Sequence, residues 1–219
     1  SFTVGTEASP FLQQAQVTLH GSPVSKELPV YGAKVIACRR CTLDIHGQPL
    51  LDDRTWTHLN ATAESGATEL CLTHPVDWAV YSQIVITSTG FDMNEVEQRT
   101  ITAVTHGGRC MRFGRPLKHQ HLGETRTYGG QSVEMRAEVG LLSRNVVIQG
   151  NDFSPLDRHG GHIMLYSQEG SVRDNSFVGR IENAELRYMG QAFQMGRYAV
   201  HFHVSLALNN QTHREHAWP

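Results

Sequence analysis

The sequence predicts an all-β fold: a right-handed parallel β-helix preceded by a β-rich module. Residues 141–204 carry four successive apolar or β-branched runs, each closed by Gly or Asn and too short for a well-formed helix. Asn151 and Phe153 also recur as Asn175 and Phe177, an offset of 24 residues. A period of this size is typical of solenoids. Because turns rather than helices separate the runs, the solenoid that fits is a parallel β-helix.

Strand alternation predicts which side chains of these runs face outward, because successive residues point to opposite faces of a sheet. The predicted inward set is Val200, Phe202, Val204, Ile163, Leu165, Leu186 and Tyr188. The outward set forms one polar surface, here called the predicted strip: His162, Glu185, Arg187, His201 and His203. The next matching Asn, Asn209, comes 34 residues after Asn175, so the echo leaves open which coil stacks on which.

The preceding part of the chain is also composed of strands and turns. Alternating runs closed by Gly or Cys fill residues 2–46, and two long β runs follow around Trp56 and Trp78. We expect these two rings in the core or packed on a strand, and not as a sugar platform. The one helix candidate is residues 91–99, with Asp92 as its N-cap. Residues 118–130 are polar and Gly-rich, which is typical of a loop. We therefore predict a β-rich domain over residues 1–130 and β-helix coils over residues 131–219.

Composition excludes some function classes. The chain has 219 residues, a net charge of −2 and 18% charged residues, so it has no basic patch for a nucleic-acid backbone. No apolar run reaches the length that spans a bilayer, and the N-terminus lacks the pattern of a signal peptide. Since an open β-helix end exposes core and needs a cap, we expect both domains to be truncated parts of a longer protein.

Cysteines and glycosylation motifs favour an extracellular setting. The four cysteines, Cys38, Cys41, Cys71 and Cys110, lack the second close pair of a zinc ribbon. Disulfides are therefore the favoured use, with three pairings open. Asn60 and Asn210 each begin an Asn-X-Thr glycosylation motif. Together these features predict an extracellular or luminal location.

Many phrases of the chain resemble one known family. In order, they include TVGTEASPF, AQVTLHG, LDIHGQP, PVDWAV, IVITSTGFDMNEVEQRTI, AEVGLLSRNVVIQG, GGHIM and YMGQAFQMGRYAVHFH. They are similar to fibrocystin and fibrocystin-like proteins over nearly the whole chain. The resemblance implies the C-terminal part of an extracellular eight-glycine domain followed by parallel β-helix coils, an arrangement shared with cell-surface hyaluronidases. Ala199 departs from the proline-containing form of the last phrase, and Ala is compatible with a paired strand there.

The resemblance also implies a function and a location. Fibrocystin relatives are large secreted or single-pass membrane proteins associated with cilia and cell surfaces. Hyaluronan cleavage belongs to only some relatives, and no catalytic residue of theirs is matched to a position here.

The predicted strip allows two kinds of chemistry. His162, His201 and His203 could together hold a divalent metal such as zinc or calcium, although outward imidazoles are more often a solvated face. The whole strip, with Asp157 and His159 in the nearby loop, could bind or cleave a polysaccharide. The simpler interpretation of Asp157 is a turn cap. Asp92, Glu95 and Glu97 lack EF-hand spacing and are predicted to be a solvated acidic turn.

These observations favour a non-enzymatic, extracellular structural or interaction module of a cell-surface or ciliary ectodomain. Its expected partners are other extracellular chains or neighbouring domains of the same chain, and a polysaccharide is possible. The alternative is a polysaccharide-binding or hyaluronidase-like enzyme. A groove with converging carboxylates would favour the enzyme, and a flat face would favour the module.

Overall fold

A computed structural model describes residues 1–166 and 177–203, and the chain divides into two compact units. Unit 1 comprises Ser1–Gln48 and Asn145–Pro219, and unit 2 comprises Pro49–Arg144. The strands are β1 (Phe2–Val4), β2 (Ala15–Leu19), β3 (Val35–Arg39), β4 (Thr42–His46), β5 (Trp56–His58), β6 (Glu69–Cys71), β7 (Gln83–Ile86), β8 (Glu97–Thr105), β9 (Cys110–Phe113), β10 (Thr125–Tyr128), β11 (Gln131–Glu134), β12 (Glu138–Leu141), β13 (Val146–Gly150), β14 (His162–Tyr166), β15 (Val178–Glu182), β16 (Ala184–Arg187) and β17 (Val200–His203).

Unit 1 is a parallel β-helix, as predicted. Its first sheet has the order β1-β4-β15, its second sheet β2-β13-β16 and its third sheet β3-β14-β17, and every pairing is parallel. One coil contributes β2, β3 and β4, the next contributes β13, β14 and β15, and a further coil contributes β16 and β17. Alternate side chains stack inward into a core of Leu43, Ile45, Ile148, Ile163 and Leu165.

The coils are longer than the 24-residue echo indicated. Ile163 pairs with Val200 and Val146 pairs with Ala184, so a coil takes 200 − 163 = 37 or 184 − 146 = 38 residues. The echo is therefore not the coil period, and Asn175 and Asn209 lie outside the described residues. Long loops separate the strands of each coil. The spacing of one short Asn-Phe similarity carries no information on the length of those loops, so it does not give the coil length.

The division of the chain also differs from the predicted boundary near Gly130. Strands β1 to β4 belong to the parallel coils, and unit 2 interrupts the β-helix in sequence instead of preceding it. Alternation identifies a strand without identifying its partner. The pairing of β2 with β13, across more than one hundred residues, is decided by tertiary structure.

Unit 2 is an antiparallel sheet of order β5-β12-β7-β8-β9-β6 with a separate β10-β11 hairpin. Trp78 lies in its core, as predicted, and the Nε1 of Trp78 donates to the Arg54 carbonyl at 3.0 Å. Trp56 is exposed and its ring packs 5.3 Å from that of His58 on the same strand, so of the two predicted placements it has strand packing and not the core.

The predicted helix over residues 91–99 reduces to one 3₁₀ turn, Met93–Glu95, because strand β8 begins at Glu97. Asp92 does cap this turn, accepting from the Asn94 backbone N–H at 2.8 Å. In the described part of the chain, no helix is long and apolar enough to cross a membrane.

All four cysteines form disulfides, as predicted. Cys38 is bonded to Cys41 between β3 and β4, and Cys71 is bonded to Cys110, its register partner between β6 and β9. Each disulfide lies within one unit.

Candidate functional site on the outer faces of the coils

His162 does not lie on an outer surface, contrary to the prediction. Its alternation is outward, but its side chain is fully buried. Nε2 donates to the Tyr31 carbonyl at 2.8 Å, and Nδ1 lies 3.4 Å from the Nε2 of Gln191. Burial lowers the pKa of His162, which keeps the ring neutral. Alternation specifies the side of the sheet, whereas the loops that carry Tyr31 and Gln191 cover the first position of β14.

Glu185 and Arg187 lie on a different sheet from the two outer histidines. They belong to β16 in the second sheet, where the Arg187 Nε donates to the Glu185 carboxylate at 2.8 Å. His201 and His203 belong to β17 in the third sheet. The predicted strip is therefore not one surface, because consecutive strands of a coil turn onto different sheets.

Aromatic and cationic side chains do form a row on the outer face of the third sheet. Arg39, Tyr166 and His203 are register partners on β3, β14 and β17, and we call them the outer row. The Tyr166 and His203 rings stack at 5.4 Å with an interplanar angle of 14°. The Arg39 guanidinium lies 5.5 Å from the Tyr166 ring centroid. Arg39 and His203 therefore cover the Tyr166 ring from both sides. The polar groups that the row offers are the Tyr166 hydroxyl and the N–H groups of Arg39 and His203.

His201 extends the outer row toward the loop before β17. Its Nε2 is 3.1 Å from the Nδ1 of His203, and its ring packs 5.4 Å from that of Tyr198. Burial lowers the pKa of His201, and the nearby His203 and Arg197 lower it further. One ring nitrogen can donate to the other across this contact, which holds the two rings together.

The other predicted inward residues in or directly after strands β16 and β17 differ in how far they are buried. Phe202 pairs in register with the buried Leu165, but its side chain is 54% exposed and contacts Phe177 at 6.3 Å between ring centroids. Leu186 packs against the core as predicted, whereas Tyr188 is exposed, so its inward placement is wrong. Tyr188 follows the last residue of β16 and has a left-handed backbone, which ends the alternation. Val204 lies outside the described residues.

The described ranges 1–166 and 177–203 contain no group of three His, Cys, Asp or Glu residues placed to hold a metal ion. The Nε2 of His162, one of the three predicted ligands, donates to the Tyr31 carbonyl. The polysaccharide hypothesis also named Asp157 and His159 in the nearby loop. Asp157 is exposed at the end of a helical turn, α1 (Ser154–Asp157). His159 is buried, and burial lowers its pKa, with a further lowering from Lys34.

A second polar cluster lies on the outer face of the first sheet, and the sequence analysis missed it. The Nδ1 of His46 is 2.9 Å from the Glu182 carboxylate, and its Nε2 is 3.6 Å from Asp44. Arg180 donates to both Asp44 oxygens at 2.9 and 3.2 Å, and this hydrogen bonding lowers the pKa of Asp44. We call these four residues the His46 cluster. Three of them, Asp44, His46 and Arg180, line a cleft of about 440 Å³ together with Glu7.

The available signal for this cluster was alternation in β4 and β15. Asp44 and His46 alternate with the buried Leu43 and Ile45. Only the register, which pairs Asp44 with Arg180 and His46 with Glu182, brings the charges together.

Comparison with known proteins identifies this class of β-helix. The G8 domain model matches residues 1–60, and the CEMIP beta-helix model matches residues 158–217. Fibrocystin-L of Mus musculus is 39% identical over 236 residues and Fibrocystin-L of Homo sapiens is 38% identical, each match covering 92% of this chain. Protein rliB of Dictyostelium discoideum is 30% identical over 208 residues, covering 93% of this chain and 17% of that protein.

The chain is thus a G8 and β-helix segment, and it belongs to the fibrocystin-like family. It spans 6% of the length of either Fibrocystin-L. Among solved structures, the tailspike gp61 of Pseudomonas phage phi297 aligns with a TM-score of 0.36 and 11% identity, covering 82% of this chain and 25% of that chain.

Proposed function

We propose that the chain is a non-enzymatic structural and interaction module of an extracellular, cell-surface protein, and that its outer row binds a polysaccharide without cleaving it. The observation that carries this proposal is the alignment of Arg39, Tyr166 and His203 on three consecutive coils. The Tyr166 hydroxyl and the N–H groups of Arg39 and His203 suit the hydroxyl and carboxylate groups of a polysaccharide. Strands β3, β14 and β17 contribute no carboxylate, so they do not supply the pair of carboxyl groups that most glycosidases use.

A degrading enzyme is the second candidate, and the His46 cluster is the observation that favours it. The carboxylates of Asp44 and Glu7 and the imidazole of His46 line one cleft, and such groups can transfer protons to a glycosidic bond. Asp44 is engaged by Arg180 and His46 by Glu182, which equally suits a cluster that holds neighbouring coils together.

One incubation separates the two candidates. End-labelled hyaluronan is incubated with the chain, with and without calcium, and its length is followed by gel electrophoresis. We expect no shortening. Shortening that disappears in a His46→Ala variant would establish the enzyme and contradict the proposal.

Affinity electrophoresis in gels containing hyaluronan tests binding at the outer row. We expect Tyr166→Ala combined with His203→Ala to weaken retention by about tenfold, since each lost hydrogen bond to the polysaccharide contributes on the order of 1 kcal/mol. A matched control, Tyr128→Ala with His119→Ala in unit 2, should be retained like the unmodified chain. Equal retention of both variants would remove the outer row as the binding site.

The extracellular location has its own test. Asn60 is exposed in the described structure, whereas Asn210 lies outside the described residues. Expression through the secretory pathway should add a glycan to Asn60 that a glycosidase removes and that Asn60→Gln prevents. No difference in mass between Asn60→Gln and the unmodified chain would contradict glycosylation at this position.

A further inference from the structure

Three loops join the second sheet to the third sheet and stack on one another, and a buried lysine ties the first loop to the second. They are residues 20–34, 151–161 and 188–199. The Nζ of Lys34 donates to Asn151 Oδ1 at 2.8 Å, to Ser154 Oγ at 2.7 Å and to the His159 carbonyl at 2.8 Å. All three ammonium protons of Lys34 are therefore donated to the second loop, which fixes the first loop against the second.

Gln191 ties the third loop to the other two. Its Nε2 donates to the Ala33 carbonyl at 3.0 Å and to the Gly160 carbonyl at 3.1 Å. Its Oε1 is buried and has no hydrogen-bond partner among the described residues. This oxygen is enclosed, and the two hydrogen bonds from Nε2 hold the third loop against the other two.

A groove of about 580 Å³ opens beside Gln191 on the stacked loops. Its lining includes Pro155, Arg158, Tyr188, Met189, Arg197 and Tyr198. The two charged residues that line it are both arginines, so the groove complements a negatively charged ligand.

Exposed apolar side chains extend this surface on the second and third loops, residues 151–161 and 188–199. Phe153, Leu156, Phe193 and Met195 are between 65% and 95% exposed. The loops that carry them are hydrogen-bonded together, since the Ala192 N–H donates to the Arg158 carbonyl at 2.9 Å. Exposed apolar groups concentrated in one region mark interaction surfaces more often than ordinary solvated ones.

We infer that this groove docks an acidic, apolar segment of a partner protein. The side chains present are Phe, Tyr, Met and Arg, the types enriched in the centres of protein–protein interfaces. Apolar side chains of the segment cover Phe193, Met195 and Leu156, and its carboxylates face Arg158 and Arg197. Arg39, Tyr166 and His203 do not line this groove, so the inference does not depend on polysaccharide binding at the outer row.

The test is selection from a random peptide library displayed on phage, panned on the full chain. We expect the enriched peptides to combine Asp or Glu with aromatic or aliphatic residues. Phe193→Asn with Met195→Gln should weaken their binding by about tenfold or more, and Arg158→Asn should also weaken it, more so at low salt. Asn suits both left-handed positions, 158 and 193, so the variants keep the loop geometry.

The chain supplies a matched control, Phe91→Asn with Met93→Gln, at a second exposed Phe-x-Met pair in unit 2. The control should bind the selected peptides like the unmodified chain. The inference is overturned if no peptide is enriched, or if the enriched peptides bind all variants equally. Vesicles that contain phosphatidylserine and a glucuronate oligosaccharide are tested on the same variants. The inference is also overturned if the Phe193 and Met195 variant loses binding to either of these probes while its binding to every selected peptide is unchanged.

Discussion

At the scale of single residues, Glu97 shows the strongest electrostatic effect in unit 2. Its side chain is buried, which by itself raises a carboxyl pKa. The backbone N–H groups of His119 and Lys118, together with His121 and Arg99, donate to the carboxylate and lower its pKa to about 2. The sequence predicted a solvated acidic turn here, and for Glu97 that prediction is wrong because residues 118–121 fold over it.

The low pKa of Glu97 makes unit 2 sensitive to acid. The folded pKa of about 2 lies below the usual 4.5, so the stabilisation is complete above pH 4.5 and is lost as the pH falls toward 2. The difference corresponds to about 3 kcal/mol. We expect the free energy of unfolding of unit 2, measured by urea titration, to decrease across this range.

Glu97→Gln should remove most of that pH dependence and destabilise unit 2 by about 3 kcal/mol or more, because His121 and Arg99 lose a buried charged partner. The matched control is Glu69→Gln, which breaks an exposed ion pair with Arg112 and should cost about 1 kcal/mol or less. A Glu97→Gln variant with an unchanged acid profile would contradict this account.

At the scale of elements, the two disulfides stabilise different lengths of chain. Cys71 and Cys110 are 39 residues apart and join β6 to β9, whereas Cys38 and Cys41 are 3 residues apart. Cross-linking a longer loop removes more conformational entropy from the unfolded chain. Replacing both cysteines of the longer loop with Ala should cost about 4 kcal/mol, and replacing those of the shorter loop about 2 kcal/mol.

Urea unfolding of the two double variants measures these costs, with each variant compared in the unit that contains its disulfide. Equal costs, or a larger cost for the Cys38 and Cys41 variant, would show that native-state contacts outweigh loop entropy here. The cysteines were predicted to pair, but the sequence left three pairings open, because only the register of β6 with β9 places Cys71 opposite Cys110.

At the scale of the whole molecule, the β-helix is interrupted in sequence by a domain with its own core and its own disulfide. The chain leaves unit 1 after Gln48 and returns at Asn145, and the Gln48 N–H donates to the Asn145 Oδ1 at 2.8 Å. The exit and return points are therefore adjacent within unit 1. A short linker can replace unit 2 without separating β4 from β13.

We expect a protein in which a Gly-Ser linker joins residue 48 to residue 145 to keep the β-rich circular dichroism spectrum and the Cys38–Cys41 disulfide. Residues 49–144 alone should unfold cooperatively with Cys71–Cys110 intact, since each unit buries a separate apolar cluster. A deletion protein without cooperative unfolding would show that unit 1 depends on unit 2 for stability.

The sequence by itself determined the all-β class, the solenoid, the disulfide use of the cysteines and the alternation in β14 and β17. These features follow from residue type and a two-residue period, which are local properties of the chain. It also identified His201 and His203 as outward, but it missed Arg39 and Tyr166, their neighbours in the row.

Tertiary structure alone decided which strands are neighbours. Parallel pairing joins segments that are 37 or more residues apart, and no local pattern encodes that register. It therefore divided the predicted strip between two sheets, buried His162 beneath Tyr31 and Gln191, and assembled the His46 cluster from β4 and β15. The physical reason is that the backbone of a single strand decides to which side of the sheet each side chain points. Whether that side chain is buried, and which other side chains it contacts, depends on the segments that pack beside the strand.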